Sequence, residues 1–89
     1  MTRDEIQREI LKIFSREFEI DAPGLDDDLR DAFEFDSIDA IELLREIETL
    51  LGFQLSRAQK KMAMDIRTIN QILDYVEMLD RQQRAGIFP

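Results

Sequence analysis

The sequence predicts an all-α protein: a small four-helix bundle with a long loop between its first two helices and a short third helix. Apolar residues recur three and four positions apart in the first, second and fourth segments, which is the spacing of one helix face. Residues that favour helix starts precede the four segments: Thr2, Asp36, Ser56 and Thr68. The 89 residues allow one domain with one core. We therefore expect a single domain over residues 1–89, with residues 81–89 as a frayed or loosely docked tail.

The first helix is predicted to begin at Thr2 and to end near Phe18 or Glu19. Thr2 and Glu5 have the spacing of a capping box, in which each side chain binds a backbone N–H at the helix start. The apolar face that follows predicts a helix packed on the core, and it comprises Ile6, Ile10, Ile13 and Phe14, with Leu11 widening it.

Residues 20–36 form a long connection, in which Pro23-Gly24 marks a turn. A link of this length in a small domain predicts either a functional role or a short helical turn. The apolar residues expected to pin it to the bundle are Ile20, Leu25, Leu29 and Phe33.

The acidic run Asp26-Asp27-Asp28, with Asp21 and Asp31 around it, raises the question of a calcium loop. The sixth position counted from Asp21 is aspartate, whereas an EF-hand needs glycine there, and the ligands do not alternate regularly. We expect no specific metal site, although weak binding of divalent ions stays open.

The second helix is predicted from Ser37 to Leu51, because Asp36 is a strong N-cap residue and Gly52 a natural stop. The sequence leaves Ile38 open between a core position and an exposed contact for a partner. The apolar stripe assigned to the core contains Ile41, Leu44, Ile47 and Leu51, with Ala40, Leu43 and Leu50 beside it.

The third helix, capped by Ser56 over roughly residues 57–65, is short and carries Arg57, Lys60 and Lys61. Its methionines, Met62 and Met64, suit either a pocket of variable filling or ordinary core packing.

The fourth helix starts after Thr68, with an apolar stripe through Ile69, Ile72, Leu73 and Val76. We expect the ring of Tyr75 to pack at the edge with its hydroxyl in water. Phe88 is the residue by which the tail would dock.

The composition excludes several classes of function. The chain has no cysteine and no histidine, which removes disulfides, thiolate nucleophiles and the commonest general base. We expect no catalytic residues. No apolar run approaches the length of a membrane span, and the charged N-terminus is not a signal peptide, so we expect a cytoplasmic protein.

The net charge of −8 is unevenly distributed. Residues 21–51 carry eleven acidic and two basic groups, whereas residues 52–89 carry four acidic and six basic groups. This acidity makes nucleic acid an unsuitable partner and a basic protein surface a suitable one. The plainer interpretation is a solvated face that keeps the protein soluble. We favour docking, because the charge clusters around one serine, Ser37.

Asp36-Ser37-Ile38, the acidic helix that follows and the closing Ile72-Leu73-Asp74-Tyr75-Val76 resemble the acyl carrier protein family. The resemblance extends over nearly the whole chain. It implies 4′-phosphopantetheine attached to Ser37 beside Asp36, and acyl groups carried as thioesters in fatty acid, polyketide or related lipid biosynthesis. The chain would be a monomer and not an enzyme. The residues implied in docking to partner enzymes are Ile38, Asp39, Glu42, Glu46 and Glu48.

The implied partners are a phosphopantetheinyl transferase and acyl-transferring, condensing or acyl-activating enzymes with basic docking surfaces. An acyl chain would lie between the second and third helices. Two departures, Phe33-Glu34-Phe35 where many members have glycine and the basic third helix, indicate a specialised carrier. The alternative is an acidic, noncatalytic interaction module that responds to cations. The residues expected to line the acyl pocket are Leu29, Ile41, Ile47, Leu55, Ile66 and Ile72.

Overall fold

The computed structural model describes residues 1–86, and within them the chain is helical with no β-strand. The all-α bundle is confirmed, and the long loop contains a further short helix. The helices are α1 (Arg3–Phe18), α2 (Leu29–Phe33), α3 (Ser37–Leu51), α4 (Arg57–Met62) and α5 (Ile69–Ala85), and a 3-10 turn at Ala63–Asp65 follows α4.

Four of the helices begin with the reciprocal hydrogen bonds of a capping box. These boxes are Thr2 with Glu5, Asp36 with Asp39, Ser56 with Gln59 and Thr68 with Gln71. The predicted starts of the four main helices and the Gly52 stop are confirmed. Gly52 has a φ of 80°, a left-handed conformation that glycine adopts without steric cost.

The core lies between α1, α3 and α5. Ile6, Ile10 and Phe14 of α1 are fully buried. They belong to one apolar cluster with Leu43 and Ile47 of α3 and with Ile72, Leu73, Val76 and Leu79 of α5. Arg3 at the start of α1 pairs with both Asp74 and Glu77 of α5, which fixes the two terminal helices side by side.

The stripe predicted for α3 requires a correction at Ile41. Leu43 and Ile47 are the buried residues of this helix, whereas Ile41 is 56% exposed. The sequence left Ile38 open between a core position and an exposed one. Ile38 is 74% exposed, so it lies at the surface. The helix is therefore rotated toward its Leu43 side, and one edge of its apolar face is left outside the core.

The long connection is anchored by Ile20 and Leu29, which are buried as predicted. Phe33 was the wrong anchor, since it is exposed and Phe35 is buried in its place. Glu34, which ends α2, has a φ of 55° and so redirects the chain between the two phenylalanines. The ring of Phe35 stacks on Phe14 with centroids 5.4 Å apart.

The same connection is held to the segment after α4 by backbone hydrogen bonds. The N–H of Leu29 donates to the Arg67 carbonyl at 2.8 Å, and the N–H of Asn70 donates to the Leu25 carbonyl at 3.0 Å. These bonds fix α2, and with it the start of α3, against the exit from α4.

The structure differs from two further expectations for the fourth helix. Tyr75 is buried, and its hydroxyl donates to the Gln59 carbonyl rather than to water. Helix α5 continues through Ala85, into the segment predicted as a tail. The expected docking of Phe88 lies outside the described residues. Within residues 1–86, no helix combines the length and the apolar character that crossing a bilayer requires.

Candidate functional site

Ser37 is the first residue of α3 and is exposed. The carboxylate of Asp36 accepts the N–H of Asp39 at 3.0 Å, and the carboxylate of Asp39 accepts the N–H of Asp36 at 3.1 Å. This reciprocal pair fixes the helix start by bonds between two residues three positions apart. The Ser37 hydroxyl takes no part in the cap, so it remains free for chemistry.

The start of α3 also offers unused hydrogen-bond donors. The N–H of Asp39 is bound by Asp36 Oδ1 and that of Ala40 by the Asp36 carbonyl, whereas the N–H groups of Ser37 and Ile38 have no acceptor within residues 1–86. Free N–H groups at the positive end of a helix favour an anion such as a phosphate. An anionic group attached to Ser37 would find these two donors beside it.

Ser37 lies at the edge of a groove of about 700 Å³ between α3 and the segment from α4 to Ile66. The α3 side runs from Ser37 through Ala40, Ile41 and Leu44 to Glu48. These positions follow helical spacing and extend about 16 Å along the helix axis at the usual rise per residue. Ile41 is therefore exposed because it forms the wall of an open apolar groove.

The opposite wall runs antiparallel to α3. Glu48 accepts the N–H of Leu55 at 2.7 Å, which places the entry to α4 beside the far end of the groove. The backbone bond between Leu29 and Arg67 places the exit from this segment beside α2, near Ser37. The wall therefore passes from Arg57 at the far end to Met64 and Ile66 nearer the serine.

Basic side chains surround this groove, although the protein as a whole is acidic. Its lining includes the basic residues Arg30, Arg45, Arg57, Lys60 and Lys61 and the acidic residues Asp36 and Glu48. The sequence indicated a basic third helix but not the convergence of Arg30 and Arg45 on the same groove, which depends on the tertiary fold.

The six residues expected to line an acyl pocket divide into three groups. Ile41 and Ile66 line the groove. Ile47 and Ile72, again with Ile66, line a second cavity of about 30 Å³. Leu29 and Leu55 line neither of these two cavities and are buried in the core. The lining residues that sequence reasoning missed include Phe35, Ala40, Leu44 and Ala63.

Two of the lining residues that sequence reasoning missed could have been predicted from their spacing along α3. Ala40 and Leu44 lie three and seven positions after Ser37, so they share a helix face with the serine. Of the two methionines, Met64 lines the groove and Met62 does not, and both are exposed rather than part of the core.

The five residues expected to dock partners differ in the exposure of their side chains and in the bonds that already engage them. Ile38 is exposed, whereas Asp39 is engaged in the cap. Glu42 lies 3.8 Å from Arg45 and keeps 43% of its side chain exposed. Glu46 is bound to Arg16 at 2.5 Å with 19% exposed. Glu48 accepts the N–H of Leu55, as described above. Glu42 and Ile38 are therefore the most accessible members of the set.

The acidic run before α2 is used for local structure. Asp28 caps α2, Asp27 accepts the N–H of Gly24 at 3.0 Å, and Asp26 accepts the side-chain amide of Asn70 at 2.8 Å. Residues 1–86 hold no group of three or more acidic side chains arranged to bind a metal ion.

Tyr75 lies behind the groove, at the second cavity. Burial, and to a lesser extent the charge of Glu48, raises the pKa of Tyr75 from 10.0 to about 12. The phenol is thus a neutral hydrogen-bond donor throughout the physiological range and supplies no base.

Comparison with known protein families identifies the family to which this chain is similar. A family model described as "phosphopantetheine attachment site" matches residues 8–76, which include most of α1, all of α2, α3 and α4, and the first half of α5. A comparison with curated proteins found no match to this chain.

Proposed function

Since this chain belongs to the phosphopantetheine attachment site family, whose members are phosphopantetheine-dependent carriers, we propose that it carries acyl groups as thioesters on an arm attached to Ser37. The cofactor of the family is covalent 4′-phosphopantetheine. Its thiol would supply the reactive atom, so a chain without cysteine or histidine can serve thioester chemistry. The chain itself would hold and present the cargo without catalysing its transfer.

The observation that carries this proposal is the position of Ser37. Its hydroxyl is exposed and outside the cap, two free N–H groups stand beside it, and the apolar groove begins at its side chain. The N–H groups of Ser37 and Ile38 suit the phosphodiester that the attachment would create. The groove suits an acyl chain, because apolar surface that leaves water is stabilised by about 25 cal/mol for each Å² buried.

We propose fatty acid, polyketide or related lipid biosynthesis as the setting. A transferase would modify Ser37, and acyl-transferring, condensing or acyl-activating enzymes would then exchange cargo with the arm. The acidic start of α3 would attract basic surfaces on these partners and orient them toward the serine. Ile38 and Glu42 are the most accessible contacts for them.

The test is modification by coenzyme A and a broad-specificity phosphopantetheinyl transferase, followed by intact mass and peptide mapping. We expect the mass to rise by one phosphopantetheine, located on Ser37. Ser37→Ala should abolish the increase. Ser15→Ala is the matched control, since Ser15 is exposed on α1 and its hydroxyl bonds only to Asp21 within the described residues. An unmodified wild-type protein, or modification that persists in Ser37→Ala, contradicts the proposal.

A further inference from the structure

We propose that the acyl group carried by this protein bears an anionic group, such as a carboxylate, at the end away from its thioester, and that Arg57, Lys60 and Lys61 bind that anion. The inference rests on the proposed function and names the class of cargo. Three features support the proposal. They are the unpaired positive charge, the position of that charge in the groove, and the apolar surface between that charge and Ser37.

Four of the five cations of the groove have no carboxylate partner among residues 1–86. Arg30, Arg57, Lys60 and Lys61 have no carboxylate oxygen within 4.0 Å among residues 1–86, and Arg45 has a single, distant one on Glu42 at 3.8 Å. The protein has 20 acidic and 12 basic residues, so acidic partners for its cations are abundant. Four unpaired cations around one concave surface therefore leave a positive site that an anion would stabilise.

The two acidic groups of the groove offset only part of the charge of its five cations. Asp36 is bound to the backbone at the start of α3, and Glu48 is bound to the N–H of Leu55. The phosphodiester of an arm on Ser37 would contribute one negative charge at the near end of the groove, beside the free N–H groups. The far end would still carry an excess of positive charge.

Arg57 stands at that far end, and Lys60 and Lys61 follow it within about one turn of α4. Lys60 and Lys61 lie three and four positions after Arg57, so the three side chains share one face of α4. The bond from Leu55 to Glu48 fixes the start of α4 at the end of the groove remote from Ser37. A chain that entered beside Ser37 would meet apolar surface first and these cations last.

The surface between the two ends is apolar, as the wall of a site for an acyl chain would be. Ile41, Leu44, Ala63 and Ile66 contribute to it. A volume of about 700 Å³ lies in the range of small-molecule sites, which combine apolar walls with a few convergent polar groups. An acyl chain with an ionised far end matches this order of surfaces, whereas a methyl-ended chain would leave the cations unpaired.

The experiment compares cargo of equal length with and without the anion. Adipoyl and hexanoyl groups, and then sebacoyl and decanoyl groups, are loaded from their coenzyme A thioesters by the transferase. Loading is verified by mass, and the rate of thioester cleavage by hydroxylamine is measured. We expect the carboxylate-ended group of the better-fitting pair to be cleaved about threefold or more slowly, because charge-assisted hydrogen bonds would hold it in the groove.

A charge-matched pair of variants assigns the effect to these cations. The triple variant Arg57→Gln, Lys60→Gln, Lys61→Gln should remove the difference between the two cargoes. The control Arg8→Gln, Lys12→Gln, Arg81→Gln changes the net charge equally at positions outside the groove and should preserve it. Circular dichroism melts check that both variants remain folded.

The outcomes separate this inference from the proposed function. If Ser37 accepts no cargo, the proposed function fails and the inference fails with it. If loading is normal but the two cargoes are cleaved at equal rates in both pairs, or a difference survives in the triple variant, only the inference is overturned. Slower modification of the triple variant with unchanged cleavage would reassign these cations to docking an acidic partner surface.

Discussion

The hydroxyl of Tyr75 donates a hydrogen bond of 2.7 Å to the backbone carbonyl of Gln59, which joins α5 to the middle of α4. Both residues are buried. The side chain of Gln59 adds a second link, through its amide, to Gln82 of α5 at 3.1 Å. The short wall of the groove is therefore held to α5 by one buried and one partly buried hydrogen bond.

We predict that Tyr75→Phe destabilises the protein by about 1–2 kcal/mol, since the buried Gln59 carbonyl would lose its side-chain partner. Urea unfolding measures the change in free energy, and amide exchange should show the loss concentrated in α4. The mutation leaves the exposed Ser37 untouched, so modification should proceed at an undiminished rate. A stability equal to that of the wild type would show that water replaces the phenol at no cost.

The raised pKa of Tyr75 predicts a loss of stability at high pH. Burial raises the pKa to about 12, against 10.0 in the unfolded chain, so the native state retains its proton while the unfolded state loses it. This contribution is fully present below pH 10 and disappears as pH rises toward 12.

The sequence has a single tyrosine, so the phenolate absorbance at alkaline pH reports Tyr75 alone. Tyr75→Phe is the control for stability, because it removes the phenol and leaves every other titratable group in place. The variant should lose less stability than the wild type between pH 10 and pH 12. Equal losses in the two proteins would contradict the assignment.

We predict that Glu42→Lys slows modification of Ser37 mainly through the association rate, with the fold intact. Glu42 lies three positions after Asp39, about one helical turn further along α3, and is more exposed than Glu46. Glu9→Lys on α1 is the charge-matched control. The wild-type rate should also fall as salt rises, because exposed charges are screened over about 10 Å at 0.1 M salt. Modification rates that change neither with the charge reversal at Glu42 nor with the salt concentration would contradict electrostatic docking.

Glu46→Lys should behave differently from Glu42→Lys. It breaks the ion pair with Arg16 that joins α3 to α1 and places two cations in contact. We expect a lower melting temperature as well as slower modification. Thermal melts of the two variants at one salt concentration would separate these effects. An unchanged melting temperature for Glu46→Lys would show that the pair is fully screened by solvent.

Added salt is predicted to raise the melting temperature at pH 7, because eleven acidic and two basic groups in residues 21–51 repel one another in the compact state. Magnesium and calcium should act alike, since residues 1–86 hold no cluster suited to a metal ion. Thermal melts with each chloride salt at equal ionic strength provide the comparison. A large stabilisation by calcium alone would support a cation-responsive interaction module instead.

The helix starts could be predicted because their causes are local. Each capping box joins residues three positions apart, so the sequence contains both partners. The exposed serine after Asp36 follows from the same pattern. The acidic loop and the stop at Gly52 are also readable without any tertiary contact.

The rotation of α3 could not be predicted in this way. Ile41 and Leu43 both belong to stripes of apolar residues at helical spacing, and the choice between them depends on what packs against the helix. The burial of Tyr75 could not be predicted for the same reason, because the carbonyl that accepts its hydroxyl lies 16 residues away in sequence. Phe35 replaced Phe33 as anchor because Glu34 adopts a left-handed conformation that no residue type there demanded.

The pairing of α1 with α5 also governs how this protein is made. Arg3 binds Asp74 and Glu77, and the core residues of α1 meet those of α5, so the first of the five helices to be synthesised packs on the fifth. The capping boxes can form during synthesis, since each needs only a few neighbouring residues. The core cannot close until Leu79 has been synthesised, because Leu79 belongs to the same buried cluster as the core residues of α1. Closure of the core therefore follows the synthesis of all five helices.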